Sequence, residues 1–325
     1  MSEARPQLDA LVIGAGIAGL WAARRLHDAG HHVAVLEREA VGAGQTLLSQ
    51  GILHGGAKYT LEYGAPTAAS SALAGAPDRW RACLSGRGEL DLTDVPCVAE
   101  HTWLWADSTQ RSALDRHAEA SPAVGARPCD DDPPAFLRDQ LPHVAVWRLD
   151  EPLIDVGALL ASLAAPIDVL RCDDVADRLS LSPRGVHLSS EGTRLDARRL
   201  ILAAGSGNEA LLARLGRDGP AMQRRPLHQV CVDLPAGPAI HGHFVAANAS
   251  HDPEPRLTIN TLTHADGRRC LYLGGAVASA GVHRSADRRR PLRRRREPPF
   301  PRAAGRAAGP GRHAARGAQT DPRGR

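Results

Sequence analysis

Three glycines in the spacing Gly14-x-Gly16-x-x-Gly19 follow an apolar hexapeptide, residues 8–13, and precede residues with helical spacing. That placement suits the binding of a dinucleotide. Gly14 permits a tight turn out of a strand. Gly16 has no side chain to hold a pyrophosphate away from the backbone, and Gly19 lets a helix pack close to the strand. Free N–H groups at the helix start, around Ile17 and Ala18, then offer partial positive charge to the phosphates. Glu37 lies 23 residues after Gly14, with Arg38 beside it. A carboxylate there accepts hydrogen bonds from a ribose diol and repels the 2′-phosphate of NADP, which leaves FAD or NAD.

Such residues need a strand–turn–helix–strand frame, and the pattern supplies one. Residues 8–13 read as a buried parallel strand, 20–29 as a helix with Leu20, Ala23 and Leu26 on one face, and 32–36 as a second strand. Gly30 stops the helix. Further on, 103–105 reads as strand, 108–119 as helix, 129–134 as a solvated loop, 154–164 as an amphipathic helix and 167–170 as strand. Residues 185–189 and 194–196 form a hairpin about the turn 190–193, and 199–204 is another buried apolar strand closed by Gly205. The segments 226–234, 242–247, 256–262 and 269–273 alternate as antiparallel strands.

Residues 40–64 are rich in Gly, Ser, Thr and Gln and read as a functional loop. Within them, Ser49-Gln50-Gly51-Ile52-Leu53-His54-Gly55-Gly56-Ala57-Lys58-Tyr59-Thr60-Leu61 resembles a segment of FAD-dependent glycerol-3-phosphate dehydrogenases and, more widely, of D-amino-acid-oxidase-like flavoproteins. The resemblance spans roughly residues 8–283. It implies that Gln45, Thr46, Ser49, Gln50 and Gly51 line FAD, and that His54, Gly55 and Gly56 lie near the flavin. His54 is then a candidate general base or flavin contact. Two weaker matches follow. Asp174-Val175, expected on a strand, falls where the family contacts adenine through backbone. Ala204-Gly205 ends a strand that in the family lies under FAD.

The fold class expected from these readings is α/β: a Rossmann-like FAD-binding domain plus an antiparallel-sheet (α+β) substrate domain, with a disordered basic C-terminal tail. The expected boundaries are 1–75 and 145–215 for the FAD-binding domain, 76–144 and 216–283 for the substrate domain, and 284–325 for the tail. The resemblance implies an FAD-dependent dehydrogenase or oxidase acting on a small polar substrate: glycerol-3-phosphate, a 2-hydroxy acid, an amino acid or an amine. Oxygen or a quinone is the expected electron acceptor. In Arg224-Arg225-Pro226-Leu227-His228-Gln229, Arg225 could hold a substrate carboxylate or phosphate, and His228 is a further catalytic candidate. His243, His264 and Tyr272 lie on neighbouring strands.

Charge divides the chain unevenly. Residues 284–325 carry 14 arginines against three acidic residues, while 1–283 carry a net charge of −7. The tail has no apolar period with which to offset ordering entropy. Its composition, and the lack of the family's closing segment, suggest a frameshift or sequencing error near 286–288. A chain so altered would be a truncated, catalytically impaired flavin-binding module. A basic arm for nucleic acid is the rival account of the tail, disfavoured because the tail begins where core sequence is expected. The six cysteines are scattered, with no C-x-x-C pair, so unpaired thiols in a reducing compartment and no metal site are expected. Without an apolar run of about 20 residues or a signal peptide, a cytoplasmic location follows as an expectation.

Overall fold

A computed structural model describes residues 7–56, 72–73, 75–120, 125–129, 131–140, 143–190, 193–224, 226–234, 237–245, 255–264 and 266–282. Arg225, Lys58–Leu61 of the resembling segment and the whole basic tail lie outside them. The chain begins β1 (Leu8–Ile13), α1 (Ile17–Asp28), β2 (Val33–Glu37) and α2 (Ala76–Leu84). It continues through β3 (Cys97–Ala99), β4 (Thr102–Asp107), α3 (Arg111–Ala120), β5 (Arg127–Pro128), β6 (Val144–Leu149) and β7 (Leu153–Ile154). Then come α4 (Val156–Ala164), β8 (Asp168–Arg171), α5 (Val175–Arg178), β9 (Leu179–Ser182), β10 (Gly185–Ser190) and β11 (Thr193–Leu202). The last elements are α6 (Asn208–Arg214), β12 (Val230–Asp233), β13 (His241–Val245), β14 (Leu257–Thr263), β15 (Arg269–Gly274) and α7 (Ala276–Val282). Among the described residues no helix is long and apolar enough to cross a membrane.

Two large sheets and a two-stranded ribbon of β3 and β7 organise these elements. The first has the order β8-β2-β1-β11-β10-β9, with β8, β2, β1 and β11 parallel. Side chains of a strand alternate between faces, and β1 shows it. Ala10 and Val12 pack with Leu20 and Ala23 of α1 and Leu160 and Leu163 of α4. Leu11 and Ile13 pack on the other side with Leu36, Val186, Leu188 and Leu211. The chain leaves β1 toward β2 on one side, while β11 flanks it on the other. The carboxyl end of β1 is therefore a topological switch point, where open α/β sheets bind ligands. Trp21 of α1 and Trp80 of α2 meet edge to face, with ring centroids 4.7 Å apart.

The second sheet has the order β12-β15-β14-β13-β4-β6-β5. It is antiparallel except at β13 and β4, which run parallel. Its two faces differ. Trp105, Val146 and Ile259 bury one face, with Phe136, Phe244 and Leu271 packed against them. The register places Thr102, His241, His243, Thr258, Asn260 and Tyr272, all buried, on the other face.

Several expectations are corrected. The helix after the glycine turn starts at Ile17, so the glycines lead straight into it. Ile154 belongs to β7, and α4 begins two residues later because the Asp155 side chain caps it, accepting from the Ala158 N–H at 2.9 Å. Val175 opens the short helix α5 instead of lying on a strand. The hairpin arm at 194–196 and the apolar strand at 199–204 are one ten-residue strand, β11, which pairs first with β10 and then with β1. Strand β6 hydrogen-bonds into the second sheet, although the boundary at 145 assigns it to the first unit. Cys231 and Cys270 are not unpaired thiols. Pairing of β12 with β15 brings their Cα atoms to 5.9 Å, and a disulfide joins them.

Leu20 is fully buried between α1 and the first sheet. Its replacement by Ala should lower unfolding stability by about 2–5 kcal/mol, read as a fall in the urea midpoint with an unchanged far-ultraviolet spectrum.

Candidate active site

The glycine turn is built so that no side chain fits in it. Gly14 has φ of +106°, and a Cβ there would lie 2.4 Å from the Ala203 carbonyl oxygen. A Cβ on Gly19 would lie 1.9 Å from the Gly14 carbonyl oxygen. The turn thus packs against residues 203–204, next to Gly205, and brings the Gly14 and Ala204 candidates together. No side chain caps α1 at Gly16, and its first turn holds no acidic residue. The Ile17 N–H donates to Thr46 Oγ1 at 3.1 Å. Both oxygens of Glu37 accept backbone N–H groups, from Ala15 at 2.8 Å and Glu39 at 3.0 Å. A carboxylate has about four lone-pair positions, so acceptor capacity remains for hydroxyl groups.

The segment from Leu48 to Gly55 runs from this turn into the space between the sheets. It is tied on both sides. Residues 51–53 pair with 152–154: Ile154 N–H donates to Gly51 O at 3.1 Å, and Leu53 N–H to Pro152 O at 2.8 Å. Gly51 takes φ of +71°, and a Cβ there would lie 2.6 Å from the Ile154 carbonyl oxygen. On the other side, Asn260 Nδ2 donates to Gln50 O at 2.7 Å, and Gln50 Nε2 donates to Tyr272 O at 3.1 Å. Tyr272 OH donates to Leu48 O at 2.9 Å and lies against Gln229 Oε1. Burial pushes the Tyr272 phenol up to about 12, so it stays protonated and able to donate.

Beyond Gln50 the segment meets a buried acid. Glu151, between β6 and β7, is 0% exposed. It accepts from the Gly55 N–H at 2.7 Å, and its other oxygen lies 3.1 Å from His54 Nδ1. The His243 ring stands 5.7 Å from the His54 ring, and its Nδ1 is 3.0 Å from Thr258 Oγ1. Burial pushes the Glu151 carboxyl up. The His54 hydrogen bond, the charges of His54 and His243 and the Gly55 N–H outweigh it and hold the carboxyl below its usual range. Burial likewise pushes the His241 imidazole down, with the Asn260 side chain working against it. Thr102 Oγ1 is buried with no hydrogen-bond partner among the described residues. Side-chain N or O atoms of His54, Glu151 and His243 lie within 4.8 Å of one another, and the sulfurs of the Cys231–Cys270 disulfide lie equally close to the His264 ring. Neither group was visible in local cysteine or histidine spacing.

The sequence pattern of the DAO family, described as FAD dependent oxidoreductase, matches residues 9–319. The chain belongs to this family. It is 42% identical over 282 residues to the probable FAD-dependent oxidoreductase PA4991 of Pseudomonas aeruginosa, covering 85% of this chain and 70% of that one. The crystal structure of PA4991 superposes with a TM-score of 0.68 at 36% identity, covering 87% of this chain and 70% of that one. Two more distant structures share the fold. Glycine oxidase from Geobacillus kaustophilus has a TM-score of 0.59 at 18% identity, covering 83% of this chain and 72% of that one. L-alpha-glycerophosphate oxidase from Mycoplasma pneumoniae, with FAD bound, has a TM-score of 0.57 at 12% identity and the same coverages.

This DAO-family member is an FAD-dependent oxidoreductase, and its residues fit the cofactor. The glycine turn, the acid-free start of α1, whose Ile17 N–H is met by the Thr46 hydroxyl, and the carboxylate at the end of β2 are the donor and acceptor set an adenosine diphosphate needs. The other candidates sort themselves by position. Thr46 touches the turn, and Gln50, Gly51, His54 and Gly55 join the β7 region and Glu151 to the second sheet. Gln45 and Ser49 are exposed on the same loop. Arg38 points outward and pairs with Glu39 at 3.3 Å. Val175 packs into the core beside Leu179 and Val186. His228 is exposed, its ring 3.4 Å from the Gly281 carbonyl oxygen. Its neighbour Gln229 lies against the Tyr272 hydroxyl, while Glu151 and Asn260 enter the site unforeseen.

Removing the Tyr272 hydroxyl should loosen the segment without emptying the core. Tyr272→Phe is expected to cost about 0.5–1.5 kcal/mol, measured by urea unfolding of the full chain, with faster proteolysis near residue 48.

Proposed function

We propose that this chain oxidises a C–H bond of a small polar substrate whose carbon carries a hydroxyl or an amine. Candidate substrates are amino acids and amines, 2-hydroxy acids and glycerol-3-phosphate, with oxygen or a quinone as electron acceptor and a cytoplasmic location. The observation that carries this reading is the partly exposed His54, backed by a buried carboxylate and facing the polar side of the second sheet. In this reading the first sheet is the cofactor unit and the second sheet the substrate unit. Gly14, Gly16, Gly19 and Glu37 hold the adenosine diphosphate half of FAD, and residues 45–56 run along its pyrophosphate and ring.

FAD, when bound, supplies a two-electron acceptor for the hydride. The chain supplies position and proton handling. His54 takes the proton from the substrate hydroxyl or amine as its carbon is oxidised. His243, Asn260 and Tyr272 shape a polar wall opposite, and the aromatic and aliphatic layer behind that sheet keeps water from its far side.

Substrate-dependent bleaching of bound flavin under anaerobic conditions tests the activity, with the three substrate classes screened in turn. His54→Asn is expected to lower the bleaching rate by about 10²–10⁴-fold while the flavin band is retained. A chain that keeps its flavin yet is bleached by none of these substrates is a binding module, and the reading fails.

A further inference from the structure

We propose that Glu151 is a positioning residue that fixes His54 in the tautomer with its proton on Nδ1, leaving the lone pair on Nε2. The role rests on the reading of His54 as the group that takes the substrate proton.

Glu151 is wholly enclosed, at 0% exposure, in the connection between β6 and β7. An acid so placed ionises only if donors converge on it. Two do, one on each oxygen: the Gly55 N–H at 2.7 Å and His54 Nδ1 at 3.1 Å. The neighbouring His243 imidazole adds favourable charge. An ionised carboxylate can only accept hydrogen bonds. The nitrogen facing it therefore carries a proton. A protonated imidazole donates from both nitrogens; in the neutral ring that can take a proton, the one held by Glu151 stays on Nδ1 and the lone pair falls on Nε2. The His54 side chain is 28% exposed, so part of the ring stays open beyond the acid.

The second oxygen of Glu151 gives the arrangement its direction. By holding the Gly55 N–H, the same carboxylate that orients the ring also anchors the backbone next to it. Ring and main chain are referred to one fixed point. Residues 152–154, just beyond Glu151, pair with residues 51–53, just before His54. Acid and base are thus delivered to each other by a two-stranded pairing, and register alone decides whether they meet. An imidazole held by a buried carboxylate in this way is the arrangement that fixes the tautomer of a catalytic base elsewhere.

Two measurements on the FAD-loaded full chain test the proposal. The first is long-range proton–nitrogen NMR with ¹⁵N-histidine, with the His54 signals assigned by their loss in His54→Asn. The expected result is an Nδ1-protonated, Nε2-bare ring. A ring protonated on Nε2 alone overturns the proposal, and this needs no variant of Glu151 to fold. The second is Glu151→Gln, which keeps the shape but can donate as well as accept. It should shift the His54 tautomer toward Nε2–H and lower the turnover number by about 10²-fold or more, with KM and flavin retention little changed. Unchanged turnover, or lost turnover with an unchanged tautomer, contradicts the positioning role. Full activity in His54→Asn would instead remove the base reading, while the NMR result still decides the tautomer.

Discussion

Residues 48–55 must satisfy the small β3–β7 ribbon and the second sheet at once, and the architecture of the site follows from that requirement. Their backbone and side chains pair with the β7 region on one side and with β14 and β15 on the other. Buried backbone groups left unpaired would be costly. The segment therefore has one register, and that register sets where Gln50, His54 and Gly55 stand. Gly51 makes the path possible, because the Ile154 carbonyl occupies the space a side chain would need. The cofactor turn and the polar face of the second sheet are brought to a common site by this one strip of chain.

A buried charge gives the strip its chemical polarity. The layer behind the second sheet is aromatic and aliphatic, whereas the face toward His54 carries hydroxyls, imidazoles and amides on β13–β15 and an apolar cluster of Leu104, Trp147 and Leu149 on β4 and β6. In that enclosed setting Glu151 keeps its charge only through the groups around it, and those groups are held in place by it. Each partner's position thus depends on the other, as buried polar networks require.

Much of the first sheet was legible in the sequence, because its signals are local. The glycine spacing, the apolar hexapeptide and the acid at the end of the next strand sit within 30 residues of one another, and the helix has only to follow. The His-Gly-Gly segment was legible through resemblance. What escaped depends on long-range register. Glu151 has no spacing relation to His54, and their meeting is a product of strand pairing 97 residues apart. Asn260 lies on a strand that alternates as expected, yet alternation does not say which face meets the cofactor loop. Cys231 and Cys270, separated by 39 residues, become neighbours only when β12 joins β15. Strand β11 was read as two pieces because its first half pairs in a hairpin and its second half in the parallel core, so its texture changes midway.

The central claim is that the glycine turn, Glu37 and residues 45–55 together form an FAD cradle. The visible absorption spectrum of the purified 325-residue protein, recorded before and after addition of excess FAD and desalting, tests it most directly. The account predicts a flavin band that survives desalting in proportion to protein. A colourless protein that takes up no FAD would contradict it.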